Sequence, residues 1–157
     1  RSPAVWGLKW GGIDFEPVSG DFDGDGVWDY GVYDEQNGMW YVCTLSGTLI
    51  AWGLQWGGPG MEPVPGDYDG DGAWDAAVYS GASGKWYVTR MNGTVLAWNV
   101  SWGGAGMAPV SGDYDGDGIW DLACYDESSG AWHVRTLAGA VLADGVSWGG
   151  PGLEPVK

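Results

Sequence analysis

Three clusters of aspartate contain the residue types best suited to chemistry in this chain. Each follows one nine-residue pattern, Asp-x-Asp-Gly-Asp-Gly-x-x-Asp, with carboxylates at positions one, three, five and nine. Glycine at positions four and six permits positive φ, so the loop curls and alternate side chains converge. The aspartates are Asp21, Asp23, Asp25 and Asp29 in loop 1, Asp67, Asp69, Asp71 and Asp75 in loop 2, and Asp113, Asp115, Asp117 and Asp121 in loop 3.

Converging carboxylates repel one another unless a cation lies between them. A hard cation with oxygen ligands at about 2.3–2.6 Å relieves the repulsion, which describes Ca²⁺ better than Mg²⁺, whose octahedral geometry is stricter. Zinc favours His or Cys, and the loops contain neither. We therefore predict one calcium ion per loop, three per chain. The expected ligands are the four aspartates and the backbone carbonyl at position seven, which belongs to Val27, Ala73 and Ile119.

The charge of the chain is concentrated in these loops. The net charge is −15, from 21 acidic and six basic residues, and twelve of the acids are the loop aspartates. Such a surface would repel phosphates, which argues against a nucleic acid or an anionic membrane as partner. No apolar run approaches the about 20 residues that a helix needs to span a bilayer.

The loops recur because the chain is an internal repeat. Trp-Gly-Gly begins at residues 10, 56, 102 and 148, always 46 residues apart. We predict a single repeat domain over residues 1–157. Its copies are residues 10–55, 56–101 and 102–147, and residues 1–9 and 148–157 are partial copies at the ends.

Each copy is predicted to form four short strands and no helix. In the second copy these are residues 62–68, 74–79, 86–89 and 94–98, with a two-residue Asn-Gly hairpin turn at 92–93. Four strands in about 40–50 residues is the size of one β-propeller blade. We predict an all-β fold of three four-stranded blades; a solenoid of stacked hairpins is the structural alternative.

The loops and the apolar strand after each resemble the FG-GAP/VCBS repeats, the calcium-binding blades of integrin-like β-propellers. An EF-hand is excluded because it needs Glu at position twelve and flanking helices. These copies have Val32, Val78 and Cys124 at that position. The resemblance implies a calcium-stabilised blade but no single activity, since such repeats serve adhesion, sugar binding and scaffolding.

Catalysis has little support in the sequence. His133 replaces Tyr41 and Tyr87 of the other copies, so we interpret it as a substitution at an aromatic position. Cys43, expected at the surface, and Cys124, expected to be buried, occupy unrelated repeat positions, which predicts neither a disulfide nor a Cys–His nucleophile. We expect a non-enzymatic calcium-binding scaffold, secreted or at the cell surface, that serves as an interaction module.

The thirteen tryptophans suggest an alternative function. They fall into four families, which are Trp6, Trp52 and Trp98; Trp10, Trp56, Trp102 and Trp148; Trp28, Trp74 and Trp120; and Trp40, Trp86 and Trp132. Packing between adjacent blades accounts for large buried aromatic rings. Alternatively, one family lines pockets between blades and stacks on sugar rings, in which respect the chain looks like some mushroom lectins of the integrin-like propeller type.

Three blades would leave two open sides with exposed edges and aromatic faces. Propellers usually close with about four to eight blades. We therefore predict a homo-oligomer, most simply a two-fold dimer that completes a six-bladed ring, unless a longer parent chain supplies the other blades. Residues 1–18 match residues 139–156 in register, so the same strand region is present at both ends. A glycan or an extracellular protein is the expected partner.

Overall fold

The computed structural model describes residues 11–156, which form twelve β-strands and no helix. Sheet 1 contains β1 (Phe15–Gly20), β2 (Asp29–Asp34), β3 (Met39–Cys43) and β4 (Leu49–Gln55). Sheet 2 contains β5 (Met61–Pro63), β6 (Ala76–Ser80), β7 (Lys85–Thr89) and β8 (Val95–Ser101). Sheet 3 contains β9 (Ala108–Pro109), β10 (Leu122–Asp126), β11 (Ala131–Arg135) and β12 (Val141–Ser147).

The strands of each sheet follow one another in chain order and pair antiparallel with their neighbours. This confirms the predicted all-β fold and the four strands in each copy. The predicted partial copy at residues 1–9, the first residue of copy 1 and residue 157 lie outside the described residues.

The first strand of sheet 2 is shorter than the predicted 62–68. It ends at Pro63. Pairing with the second strand nevertheless extends past Pro63, since the Val64 N–H donates to the Ala77 carbonyl at 2.8 Å and Gly66 forms a bridge with Asp75. The backbone ladder therefore leads directly into both ends of loop 2.

The hairpin between β7 and β8 is longer than the predicted two-residue turn. The Arg90 N–H donates to the Thr94 carbonyl at 2.9 Å, and the Gly93 N–H donates to the Arg90 carbonyl at 2.9 Å. Gly93 has a φ of +90°, as expected where a tight turn is followed by a left-handed residue. Three residues, 91–93, therefore separate the paired ends, and the side chain of Arg90 lies at the base of the turn.

Each hydrophobic core lies between two adjacent sheets. The first joins residues of sheet 1, including Tyr33 and Trp40, to Ala76 and Val78 of sheet 2, and the second joins sheets 2 and 3 in the same way. Trp40 and its counterpart Trp86 are completely buried. Burial of such large rings accounts for much of the packing between sheets.

The tryptophan at position eight of loops 2 and 3 attaches each loop to the preceding one. The backbone N–H of Trp74 donates to the Asp21 carbonyl at 2.8 Å, and the backbone N–H of Trp120 donates to the Asp67 carbonyl at 2.8 Å. The Trp74 ring covers Gly20, where a Cβ would overlap it. Only glycine leaves room for this approach.

The same tryptophan family forms a row across the sheets. Ring centroids are 5.3 Å apart for Trp28 and Trp74, and 4.8 Å apart for Trp74 and Trp120. Trp74 and Trp120 each cover the preceding sheet, whereas Trp28 is 58% exposed. The packing interpretation therefore describes Trp74 and Trp120. Trp28 is their counterpart in loop 1, and its ring covers no preceding sheet within the described residues.

Both cysteines are buried and neither forms a disulfide. The expectation that Cys43 is at the surface was wrong, since its exposure is 2%. Its side chain fills the position that Thr89 fills in sheet 2, at the end of the third strand, and Thr89 is also buried.

Candidate metal centres

The aspartate at position one is the anchor of each loop. In loop 1 the carboxylate of Asp21 accepts hydrogen bonds from the backbone N–H groups of Gly24, Asp25 and Gly26 at 2.8–3.1 Å. Loops 2 and 3 repeat this arrangement at 2.7–3.2 Å. As predicted, the glycines at positions four and six all have positive φ; they are Gly24, Gly26, Gly70, Gly72, Gly116 and Gly118.

The aspartate at position nine ties the end of each loop to its beginning. Asp29, Asp75 and Asp121 are buried, and each accepts a hydrogen bond of 2.8 Å from the backbone N–H at position two. Each of them lies at the start of the second strand of its sheet or immediately before it. The sheet therefore holds this carboxylate in place under the loop.

Three of the four predicted carboxylates in each loop have oxygen atoms within 4.8 Å of one another. These groups are Asp21, Asp23 and Asp29; Asp67, Asp69 and Asp71; and Asp113, Asp115 and Asp121. The fourth carboxylate lies outside the group at Asp25, Asp75 and Asp117. All three clusters are close enough to hold a metal ion.

The residue at position seven closes the loop through its N–H group. Val27, Ala73 and Ile119 each donate to the carboxylate at position five at 2.8–2.9 Å. That their carbonyl oxygens are metal ligands stays a prediction.

The electrostatics of the loops favour a bound cation. Burial, opposed by a backbone hydrogen bond and reinforced by the neighbouring carboxylates, raises the pKa of Asp29 and Asp121 and raises the pKa of Asp75 to about 7. A carboxyl whose ionisation is disfavoured in this way is stabilised in its charged form by a nearby cation. The donors are all hard oxygen atoms, which suit Ca²⁺.

Sequence reasoning missed one residue beside loop 2. The Arg90 Nε lies 2.5 Å from Asp69 Oδ2 and 3.9 Å from Asp71 Oδ2. Although burial acts to raise it, this guanidinium leaves the pKa of Asp69 below its usual value. The available signal was the repeat alignment, in which Arg90 replaces Thr44 and Thr136.

The family model of the FG-GAP-like repeat matches residues 67–124, from position one of loop 2 into the strand that follows loop 3. Residues 67–124 are therefore similar to an FG-GAP-like repeat. Comparison with curated proteins and with solved structures gives no significant match. The predicted FG-GAP relationship is thus confirmed, and loop 1 shows the same aspartate pattern as the two loops in the FG-GAP-like segment.

A second candidate site lies between sheets 1 and 2, and part of its lining belongs to the FG-GAP-like segment. It is a cavity of about 390 Å³ lined by Gln55, Trp56, Gly57, Met61, Tyr87 and Trp98. The Trp56 indole N–H donates to the Tyr87 carbonyl at 3.1 Å, so this ring is fixed across the two sheets. Trp98 is 67% exposed, and its ring centroid lies 5.6 Å from that of Trp56 and 5.0 Å from that of Tyr87.

The equivalent position between sheets 2 and 3 has different chemistry. The indole N–H of Trp102 donates to the His133 carbonyl at 3.2 Å, as that of Trp56 does to the Tyr87 carbonyl. The neighbouring aromatic pair is replaced by His133 and Asp144, whose Nδ1 and Oδ1 atoms are 2.8 Å apart. The guanidinium of Arg135 lies 5.7 Å from the Trp102 ring centroid. The three copies are therefore not equivalent at this position.

No helix within residues 11–156 has the length and apolar character needed to cross a membrane.

Proposed function

We propose that this protein is a calcium-binding β-propeller scaffold that acts as a non-enzymatic interaction module outside the cell. The observation that carries the proposal is the threefold repetition of one carboxylate cluster, each joined by hydrogen bonds to its own sheet. The FG-GAP-like match over loops 2 and 3 supports it.

A bound calcium ion would neutralise the repulsion among the carboxylates of its loop. Residues of the chain order the loop and connect it to the next sheet. The Asp21 side chain orients three backbone N–H groups of loop 1. The backbone carbonyl of Asp21 accepts a hydrogen bond from the backbone N–H of Trp74 in the next loop. Asp67 and Trp120 repeat the connection. Ordering one loop would therefore also order its junction with the following sheet.

The extracellular location follows from the affinity expected of such loops. Extracellular calcium modules work with Kd values of about 10⁻⁴–10⁻³ M, which the calcium concentration of a cytosol cannot saturate. A net charge of −15 keeps such a protein soluble. Submicromolar Kd values at all three loops, measured by calorimetry, would contradict this location.

Asp71→Ala should reduce calcium binding from three ions to two. The substitution removes one carboxylate from the loop 2 cluster and leaves loops 1 and 3 complete. Titration calorimetry of the full chain measures the stoichiometry, and Asp14→Ala, which removes an exposed acid outside the loops, should retain three ions. Three ions in the Asp71→Ala variant would contradict the assignment of loop 2, and loss of all three would show that the loops do not bind independently.

The exposed ends support the proposed homodimer. Trp28 is uncovered at one end, and at the other end Tyr114 is 45% exposed although its counterparts Phe22 and Tyr68 are buried under a tryptophan. Trp148 is also 80% exposed. Trp28 and Tyr114 are the counterparts of the two residues that pack against each other between adjacent sheets, as Trp74 and Phe22 do. A second copy could complete both contacts, which would close a six-bladed ring.

Light scattering in calcium buffer should give about twice 16.6 kDa for this assembly. Trp28→Ala should shift the mass to that of a monomer, because it removes the ring that would cover the second copy. Trp98→Ala is the matched control, since Trp98 is similarly exposed but lies between sheets 1 and 2. A monomeric wild-type chain would contradict the dimer and favour blades supplied by a longer chain.

Carbohydrate binding is the second candidate function, and the cavity beside Trp98 favours it. Exposed aromatic faces in a cleft suit the apolar faces of sugar rings. Neutral hexoses and N-acetylhexosamines should then quench tryptophan fluorescence. Trp98→Ala should abolish the quenching and Trp28→Ala should retain it. Equal quenching in both variants, or none in the wild-type protein, would exclude this cavity as a sugar site.

A further inference from the structure

Loop 2 differs from loops 1 and 3 because a guanidinium lies against it. Arg90 follows β7 directly, at the base of the turn into β8, and reaches back to Asp69 and Asp71 of the same sheet. An arginine remains charged at every pH at which a protein is folded. Loop 2 therefore carries a fixed positive charge within hydrogen-bond distance of a predicted calcium ligand.

The other two copies have no such charge at this position. Thr44 Oγ1 accepts a hydrogen bond from the Thr48 N–H at 3.1 Å, and Thr136 Oγ1 accepts one from the Ala140 N–H at 2.9 Å. Both threonine side chains thus serve their own turns. Arg90 keeps the backbone contacts of the turn, but its side chain contacts the loop instead.

The carboxylates of loop 2 are also grouped differently. The aspartate at position five belongs to the close group only in loop 2, where it is Asp71; in loops 1 and 3 the aspartate at position nine takes that place. Asp69 and Asp71 are the two carboxylates nearest to Arg90. The different grouping is the one expected if the guanidinium partly replaces a metal ion as the counter-charge of the loop.

We propose that Arg90 is a built-in counter-ion that makes loop 2 the weakest of the three calcium sites and stabilises that loop when calcium is absent. The inference rests on the proposed calcium-binding function. The physical basis is that the positive charge of Arg90 repels an approaching calcium ion and that Arg90 competes with this ion for Asp69 Oδ2. In the metal-free loop, the same charge offsets the repulsion between the carboxylates.

Calcium titrations followed by amide NMR can measure each site separately. Gly26, Gly72 and Gly118 are the reporters, because the N–H of each donates to the position-one aspartate of its own loop. In the wild-type chain the Gly72 midpoint should lie at about tenfold higher calcium than the other two. Arg90→Thr, which installs the residue of the other copies, should lower the Gly72 midpoint about tenfold.

The reciprocal and control variants make the test specific. Thr136→Arg should raise the Gly118 midpoint, since it places an arginine at the equivalent position beside loop 3. Arg135→Thr removes an arginine that lies near Trp102 rather than a loop, and should leave all three midpoints unchanged. A Gly72 midpoint that stays the same or rises in Arg90→Thr would overturn the proposal.

Melting in EDTA separates this inference from the calcium function itself. Without calcium, Arg90→Thr should melt below the wild-type chain and Thr136→Arg should melt above it. If no glycine reporter responds to calcium in the wild-type chain, the calcium function fails. If the reporters respond but Arg90→Thr melts in EDTA at or above the wild-type temperature, the counter-ion role fails.

Discussion

Removal of calcium with EDTA should lower the melting temperature by on the order of 15–30 °C. A ligand that binds only the folded state adds about 2.7 kcal/mol per site at a hundredfold excess over Kd, so three sites add about 8 kcal/mol. For a chain of this size each kcal/mol corresponds to about 2–4 °C. Calorimetry in calcium buffer and in EDTA measures the difference.

Excess calcium added after the chelator is the control for this experiment and should restore the original melting temperature. Asp71→Ala in calcium should melt between the two wild-type values, because loops 1 and 3 are intact. An unchanged melting temperature in EDTA, with no metal found by elemental analysis, would contradict the calcium assignment.

Trp86→Ala should destabilise the protein by about 3–5 kcal/mol, as expected for truncation of a large buried aromatic side chain. Trp86 is completely buried, and its indole N–H donates to the Trp102 carbonyl at 2.9 Å, so the substitution leaves both a cavity and an acceptor without its donor. Urea denaturation in calcium buffer measures the change in the free energy of unfolding.

Trp98→Ala is the matched control, because Trp98 belongs to the same sheet but is mostly exposed. Its effect should be within about 0.5 kcal/mol, as is usual for surface positions. Similar losses for the two variants would contradict the division of the tryptophans into buried packing residues and exposed ring faces.

The sequence was sufficient to predict the number of strands in each copy and the course of the aspartate loops, because both depend on local patterns. Glycine at positions four and six, here Gly70 and Gly72, specifies positive φ, and a short run of apolar residues indicates the buried strand β6. Threefold repetition of each pattern made these predictions robust. The FG-GAP relationship followed from the same residues.

The features that the sequence did not predict depend on side-chain reach and on neighbouring sheets. Arg90 contacts Asp69 across 21 positions of the chain, a distance at which no local pattern operates. The tryptophan families were visible in the sequence, but only the packing of adjacent sheets decides that the Trp86 ring is buried and the Trp98 ring is exposed. The turn at residues 91–93 differed because Gly93 takes the left-handed position after a tight turn rather than within it.

Diffraction from crystals grown in calcium is the most direct test of the central claim, because anomalous scattering locates the ions. The proposed function predicts three anomalous peaks per chain, one in each loop, with carboxylate oxygens of that loop at about 2.3–2.6 Å. The carbonyl oxygens of Val27, Ala73 and Ile119 should complete the three sites. Loops without anomalous peaks at millimolar calcium, or peaks only at sites outside residues 21–29, 67–75 and 113–121, would contradict it.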